Sequence, residues 1–166
     1  MQDSKTSNVR LRAVTEADIP IFFEQQLDAS ANFMAAFTAK DPTDKTAFTA
    51  HWTRILTDTA VHNQTILFHE EVAGHISSFE QFGLPSVSYW IGKEYWGKGV
   101  ATSAMHAFLG QIKTRPLYAR AAKDNVASIR VLQKCGFQIS GEDSGFSDSR
   151  GEVVEEFILI RKDYSR

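Results

Sequence analysis

Apolar and arginine residues alternate near the start of the chain. Val9, Leu11 and Ala13 are separated by Arg10 and Arg12, the two-residue period of a half-buried strand. Thr15 followed by Asp18 resembles a capping box, and the apolar run Ile19–Phe23 then opens a helix. Phe48, Trp52 and Ile55 share one face of a second helix over Lys45–Leu56. Thr65–His69 and Val72–Phe79 read as strands joined by the short Glu70–Glu71 turn. Gly83–Pro85 breaks the chain before a further strand at Val87–Ile91.

The strongest helical pattern follows: Ala101, Ala104, Met105, Phe108, Leu109 and Ile112 form one apolar stripe. Pro116 ends that region, and Leu117–Ala122 reads as a strand. The next helix sets Val126, Ile129, Leu132 and Cys135 on its apolar face. Gly136 supplies the left-handed residue that ends it, and Phe137 packs back on the last turn. Gln138–Ser140 and Val153–Arg161 are the closing strands. The order β-α-α-β-β-β-α-β-α-β-β predicts an α/β domain, a mixed central sheet flanked by helices.

With 166 residues and no repeat, Pro/Gly-rich linker or low-complexity tract, residues 1–166 read as a single domain, with residues 1–7 flexible. Cys135 is the only cysteine, which excludes an intrachain disulfide framework. No apolar run approaches the roughly 18 residues of a membrane span, and the polar start MQDSKTSNVR does not read as a signal peptide, so the expected compartment is the cytoplasm. A net charge of −2 argues against a protein that coats nucleic acid. The charge is uneven: residues 1–83 hold 6 Lys and Arg against 11 Asp and Glu, whereas residues 84–166 hold 12 against 9. An anionic ligand is therefore expected on the second half, unless the imbalance is chance.

The chemically informative stretch is Gly92-Lys93-Glu94-Tyr95-Trp96-Gly97-Lys98-Gly99-Val100-Ala101-Thr102, between a strand and the strong helix. Glycines there let the backbone turn tightly and approach a ligand. The first helical turn then presents unpaired N–H groups beside the positive dipole end, a phosphate site in principle, and Lys98 adds charge. A plain tight turn is the alternative. Gly92 to Lys98 matches the start of a nucleotide P-loop, but Gly99 stands where a Ser or Thr should hold Mg²⁺. Gly97 and Gly99 fit the first two glycines of a dinucleotide fingerprint, but Thr102 stands at the third.

A third pattern fits better. Glu94-Tyr95-Trp96-Gly97-Lys98-Gly99 resembles the Q/R-x-x-G-x-G/A pyrophosphate loop of the GNAT superfamily of acetyl-CoA-dependent N-acetyltransferases, with Glu94 in place of the first Gln or Arg. Asn125-Val126-Ala127-Ser128 and Lys134-Cys135-Gly136-Phe137 are similar to that family's N-x-x-S…K-x-G-F helix. With Tyr89-Trp90-Ile91-Gly92, these phrases look most like the subgroup that acetylates ribosomal-protein N-terminal amines.

The resemblance implies a single-domain acetyl-CoA N-acyltransferase fold over about Val9–Arg161. Gly97, Lys98, Gly99, Val100, Ala101 and Thr102 would bind the pyrophosphate. The Ile91 main chain would pair with the pantetheine arm and help polarise the thioester carbonyl. Asn125 would hydrogen-bond that arm or order the strands, and it suits a helix N-cap as well. Many family members carry a tyrosine seven residues after this Asn; here Leu132 stands there and cannot donate a proton. Ser128 matches the subgroup's serine and becomes the expected donor to the leaving thiolate, although a serine at this place can instead bond the helix backbone. Solvent is the other proton source.

For the general base, Glu80 is the expected carboxylate, or a solvated strand-end charge. Glu142, Asp143 and Glu152, in a loop-rich tail, are further candidates. Phe33, Phe37, Phe48, Trp52 and Phe82 are expected mostly in the core, with one or two walling a groove for the acceptor.

The implied partners are acetyl-CoA and an amine acceptor, a ribosomal or other protein N-terminus, with a homodimer also implied and no membrane or nucleic acid. The alternatives are a small amine acceptor, such as a polyamine, amino acid or antibiotic, and an acetyl-CoA-binding module without catalysis. The five histidines show no ligand spacing, one cysteine cannot build a zinc site, and no metal is expected. No G-x-S-x-G nucleophile elbow occurs, which favours direct transfer.

Overall fold

The alternation at Val9–Ala13 forms strand β1, and its Arg12 decides how the next element enters. Arg12 grips Asp18 with both terminal guanidinium nitrogens, at 2.7 and 2.9 Å. Asp18 also accepts the Thr15 N–H at 2.9 Å and the Thr65 hydroxyl at 2.7 Å. Only this half of the expected capping box forms, because the N-cap of helix α1 (Asp18–Gln25) is Ala17. Burial pushes the Asp18 carboxyl up, but Arg12, the Thr15 N–H and Thr65 outweigh it and hold the pKa at about 2.

The computed structural model describes residues 8–162; the expected flexibility of residues 1–7 lies outside them. A helix absent from the sequence reading follows α1: α2 (Ala29–Ala35) is capped by Asp28, which accepts the Ala31 N–H at 2.8 Å. Helix α3 (Lys45–Leu56) matches its predicted bounds. Strands β2 (His62–Phe68) and β3 (Glu71–Gln81) turn through His69 and Glu70, both at positive φ, one residue earlier than expected. Strand β4 (Leu84–Ile91) follows the two-residue turn Phe82–Gly83, so the Gly83–Pro85 break is a tight hairpin. A short 3₁₀ turn (Lys93–Tyr95) leads to helix α4 (Val100–Gln111). Strand β5 (Leu117–Ala122), helix α5 (Val126–Lys134) and strands β6 (Gln138–Ser147) and β7 (Glu152–Arg161) complete the chain.

The strands form one seven-stranded sheet in the order β1-β2-β3-β4-β5-β7-β6. Every neighbouring pair is antiparallel except β4 and β5. Helix α4 is the crossover that this parallel pair requires. Helices α4 and α5 pack on one face through Met105, Phe108, Leu132 and Cys135, against Ile66, Ile76, Leu117 and Leu159. Helices α1 and α3 cover the opposite face near β2 and β3 with Ile19, Phe22 and Trp52. The end of α5 is the expected reversal: Gly136 lies at φ +92°, and the Phe137 N–H reaches the Leu132 carbonyl at 3.0 Å. Ala73 is the extra residue of a bulge in β3. The following Gly74 lies so close to β4 that a Cβ there would sit 2.0 Å from the Trp90 carbonyl oxygen.

Two predictions follow from these packing facts. Asp18→Ala leaves Arg12 and Thr65 without their shared acceptor. Because Arg12 is partly exposed, the expected cost is about 2–3 kcal/mol, below the full penalty of a broken buried pair, or a fall of roughly 5–10 °C in Tm by calorimetry. His75 meets the Phe22 ring at a tilt and the Trp52 ring edge-on, with centroids at 4.7 and 4.9 Å, and burial, with His51 nearby, lowers its pKa to about 3. The unfolded chain takes up this proton below about pH 6.5. The folded protein resists it down to about pH 3. Stability is therefore lost as pH falls through that window, by up to about 1.4 kcal/mol per pH unit. Denaturant titrations of His75→Phe against the parent are expected to show a shallower acid slope.

Candidate active site

Strands β4 and β5 pair at a single position, Ser86 with Tyr118. Beyond it Val87–Ile91 and Ala119–Ala122 run on without pairing to each other, which opens a wedge roughly 16 Å deep along β4. Both carboxyl ends of this parallel pair point to the wide end of the wedge, and α4 and α5 start just beyond them.

On the β4 side, the Gly92 N–H bonds the Ala73 carbonyl at 2.8 Å. By strand alternation the Ile91 main chain turns the other way, into the wedge. Its carbonyl accepts the Trp96 indole N–H at 2.9 Å, a contact that sequence reasoning did not foresee, and its N–H faces the wedge. Gly97 and Gly99 adopt φ +75° and +78°, the left-handed region open to glycine at little cost. Gly99 caps α4 without a side chain, and the first intrahelical donor is the Ser103 N–H, to the Gly99 carbonyl at 3.1 Å. The N–H groups of Val100, Ala101 and Thr102 therefore project from the helix end with no intrahelical acceptor. No acidic residue stands in that turn, and Lys98 beside it is exposed. Donors, positive dipole end and a lysine together make a fitting cradle for a diphosphate.

On the β5 side, the Asn125 side chain caps α5, accepting the Ser128 N–H at 3.3 Å while its amide donates to the Met34 carbonyl at 3.4 Å. Ser128 lies in the first turn. Its hydroxyl accepts the Tyr89 hydroxyl from β4 at 3.1 Å, and no described main-chain group receives its proton. Tyr89 was not singled out as a site residue; only contact across the wedge reveals it. Leu132, at the position of the missing tyrosine, is core, 2% exposed.

The expected bases fare differently. Glu80 is exposed beside the β3–β4 turn, paired in register with Pro85. It stands at the closed end of the wedge, four strand positions from Tyr89, and is not brought to Ser128. The loop-rich tail is a correction: β6 extends to Ser147, because each of its residues finds a partner on β7 apart from a local irregularity between Ile139 and Gly141. Glu142 and Asp143 lie in β6 and are ion-paired to Lys123 (2.7 Å) and Arg120 (2.9 Å); Glu152 begins β7. Of the five aromatics, Phe48 and Trp52 join the α1–α3 core, while Phe33, Phe37 and Phe82 are exposed. The β6–β7 turn is tied to α2: Arg150 bonds the Phe33 carbonyl and both oxygens of Asp124, and the Ser149 hydroxyl bonds the Asn32 carbonyl at 2.8 Å.

Residues 8–138 match the family model of the acetyltransferase (GNAT) domain, and the chain belongs to that family. It is 22% identical over 92 residues to the uncharacterized N-acetyltransferase p20 of Bacillus licheniformis, a match over 52% of each chain, so it spans about half the length of that curated relative. Its fold is that of a spermidine N-acetyltransferase from Vibrio cholerae solved with CoA and spermine (16% identity, 95% of this chain and 98% of that one, TM-score 0.77). It is also that of RimL, a ribosomal α-N-protein acetyltransferase (16% identity, 95% and 91%, TM-score 0.74).

Gly99→Asp sets a strained left-handed backbone and a negative charge against the anion cradle without a clash, since a Cβ there meets open space. The expected result is a folded protein whose acetyl-CoA affinity by calorimetry falls at least tenfold. Unchanged affinity would remove the loop from the binding site.

Proposed function

We propose that this protein transfers an acetyl group directly from acetyl-CoA to a primary amine, a protein N-terminal amine being the favoured acceptor. The observation that carries the reading is the wedge between β4 and β5, flanked by the bare N-terminus of α4 on one side and Asn125 and Ser128 on the other. Gly97–Thr102 hold the diphosphate, with Lys98 adding a screened attraction. The Ile91 N–H lies along the path of the extended arm and donates to a carbonyl there; such a donor at a developing oxyanion contributes about 2.7–4 kcal/mol. Ser128 donates to the departing sulfur. An N-terminal amine titrates near 7.7–8.0, so a useful fraction is already neutral at physiological pH. That reduces the need for a carboxylate base and leaves Glu80 outside the reaction.

The choice of acceptor rests on the wall formed by α2, β6 and β7. Its carboxylates are largely spoken for: Asp143 and Glu156 share Arg120, Glu142 and Glu155 share Lys123, and Asp124 holds Arg150. A polycation would have to compete with these internal partners. A peptide end carries one amine and apolar surface, which suits the exposed Phe33, Phe37 and Phe82.

Calorimetry with acetyl-CoA, with Mg²⁺-ATP as control, tests the donor; a panel of free-amine peptides beginning Ala or Ser, set against spermidine, tests the acceptor. Saturable binding of acetyl-CoA alone, and CoA release with peptides exceeding that with spermidine, is the expected result. Faster release with spermidine would transfer the assignment to small amines. Binding without release for any amine would make the domain an acetyl-CoA-binding module.

A further inference from the structure

Resting on the reading above, we infer that Tyr89 is a positioning residue for the leaving group: its hydroxyl holds the Ser128 hydroxyl so that the serine proton is directed at the sulfur of CoA. The geometry is specific. A serine in the first turn of a helix ordinarily turns its proton to a nearby main-chain oxygen. Here no such bond forms among the described residues. Instead the Ser128 oxygen receives the Tyr89 O–H at 3.1 Å, across the wedge from the neighbouring strand.

A hydroxyl that accepts one bond donates its own proton along a remaining direction. Two elements fix that direction. The Asn125 cap holds the Ser128 main chain, and the pairing of β4 with β3 holds Tyr89 opposite Ile76. Tyr89 packs half-buried against the α4–α5 core, and desolvation raises its pKa above the ordinary phenol value. It therefore stays protonated at neutral pH and keeps the O–H that the Ser128 oxygen accepts. Accepting a hydrogen bond also polarises the serine O–H and makes it a stronger donor in turn.

In the reaction the amine nitrogen bonds the carbonyl carbon as the carbon–sulfur bond breaks, and the electron pair leaves on sulfur. The ammonium proton passes to water. Neither Ser128 nor Tyr89 loses its proton; Ser128, held by Tyr89, hydrogen-bonds the thiolate and lowers the cost of its departure. This accounts for a site that lacks a tyrosine at position 132: the phenol is supplied from β4 and acts through the serine.

The test uses the product, CoA, and needs no acceptor. The thiolate absorbs in the ultraviolet where the thiol does not, so the bound thiol can be titrated directly on the full chain. A free thiol titrates near pH 8.5. In the parent protein the bound thiol is expected to titrate below the value for free CoA. Ser128→Ala is expected to raise it by about one pH unit, the scale of one hydrogen bond to a charged group. Tyr89→Phe keeps the ring and is expected to raise it by about half a unit, with the Kd for CoA unchanged within twofold at a pH where the thiol is neutral. The double variant should match Ser128→Ala alone, because the tyrosine acts only through the serine, and Ser128→Thr should restore the parent titration. An unshifted titration in Tyr89→Phe, or a further shift when it is added to Ser128→Ala, overturns the role of Tyr89. A parent protein that does not bind CoA at all overturns the functional reading itself, and is distinguished from the former by calorimetry.

Discussion

The architecture depends on one incomplete pairing. Two parallel strands that began together at Ser86 and Tyr118 separate instead of continuing their ladder. Unpaired strand edges are costly when buried, so such a separation persists only where something else uses the exposed main chain or water reaches it. The rest of the fold holds the strands apart. On one side β1, β2 and β3 brace β4, and Gly74 lets the bulged β3 press directly against the Trp90 carbonyl. On the other side β7 and β6 brace β5 over its whole length. The wedge is thus a consequence of two rigid half-sheets, with α4 and α5 spanning the face between them.

That construction also explains why the second half of the site is preformed. Helix α2, the cap of α5 and the β6–β7 turn are distant in sequence, yet Arg150, Ser149 and Asn125 all bond main-chain carbonyls of Asn32, Phe33 or Met34. These bonds gather on carbonyls in the last turn of a short helix, where intrahelical donors run out; the Asn32 carbonyl also accepts the Ala36 N–H at 3.0 Å. The same contacts give this side of the wedge a fixed shape.

The contrast between what the sequence disclosed and what it hid follows interaction range. Periodic elements were legible: α3 at Lys45–Leu56, β5 at Leu117–Ala122 and the Gly136 reversal depend on spacing within a dozen residues. The glycine loop was legible because two left-handed residues before a helix leave a local signature. Helix α2 escaped notice because it is seven residues long with little apolar periodicity, and its stability comes from the Asp28 cap and the distant β6–β7 turn. The second half of β6 escaped because its polar run reads as a loop until β7 pairs with it. Tyr89 was visible as a letter in a strand, but its bond to Ser128 spans 39 positions. Glu80 shows the converse: its place at a strand end drew attention, and register alone puts it at the closed end of the wedge.

The charges divide along the wedge in a way that matches acyl transfer. On the donor side the free groups are neutral main-chain donors and hydroxyls: the first turn of α4, the Ile91 N–H, and Tyr89 through Ser128. In the proposed reaction such groups would stabilise negative charge on the diphosphate, the developing oxyanion and the sulfur with little reorganisation, since the fold has already oriented them. On the other side five carboxylates share the three cations Arg120, Lys123 and Arg150, so each is partnered while the wall keeps a negative excess. A wall of free carboxylates would stabilise an ammonium and lower the fraction of neutral amine able to attack. Pairing each carboxylate with a cation weakens that effect, which under the proposed function would suit an acceptor whose pKa is already close to physiological pH.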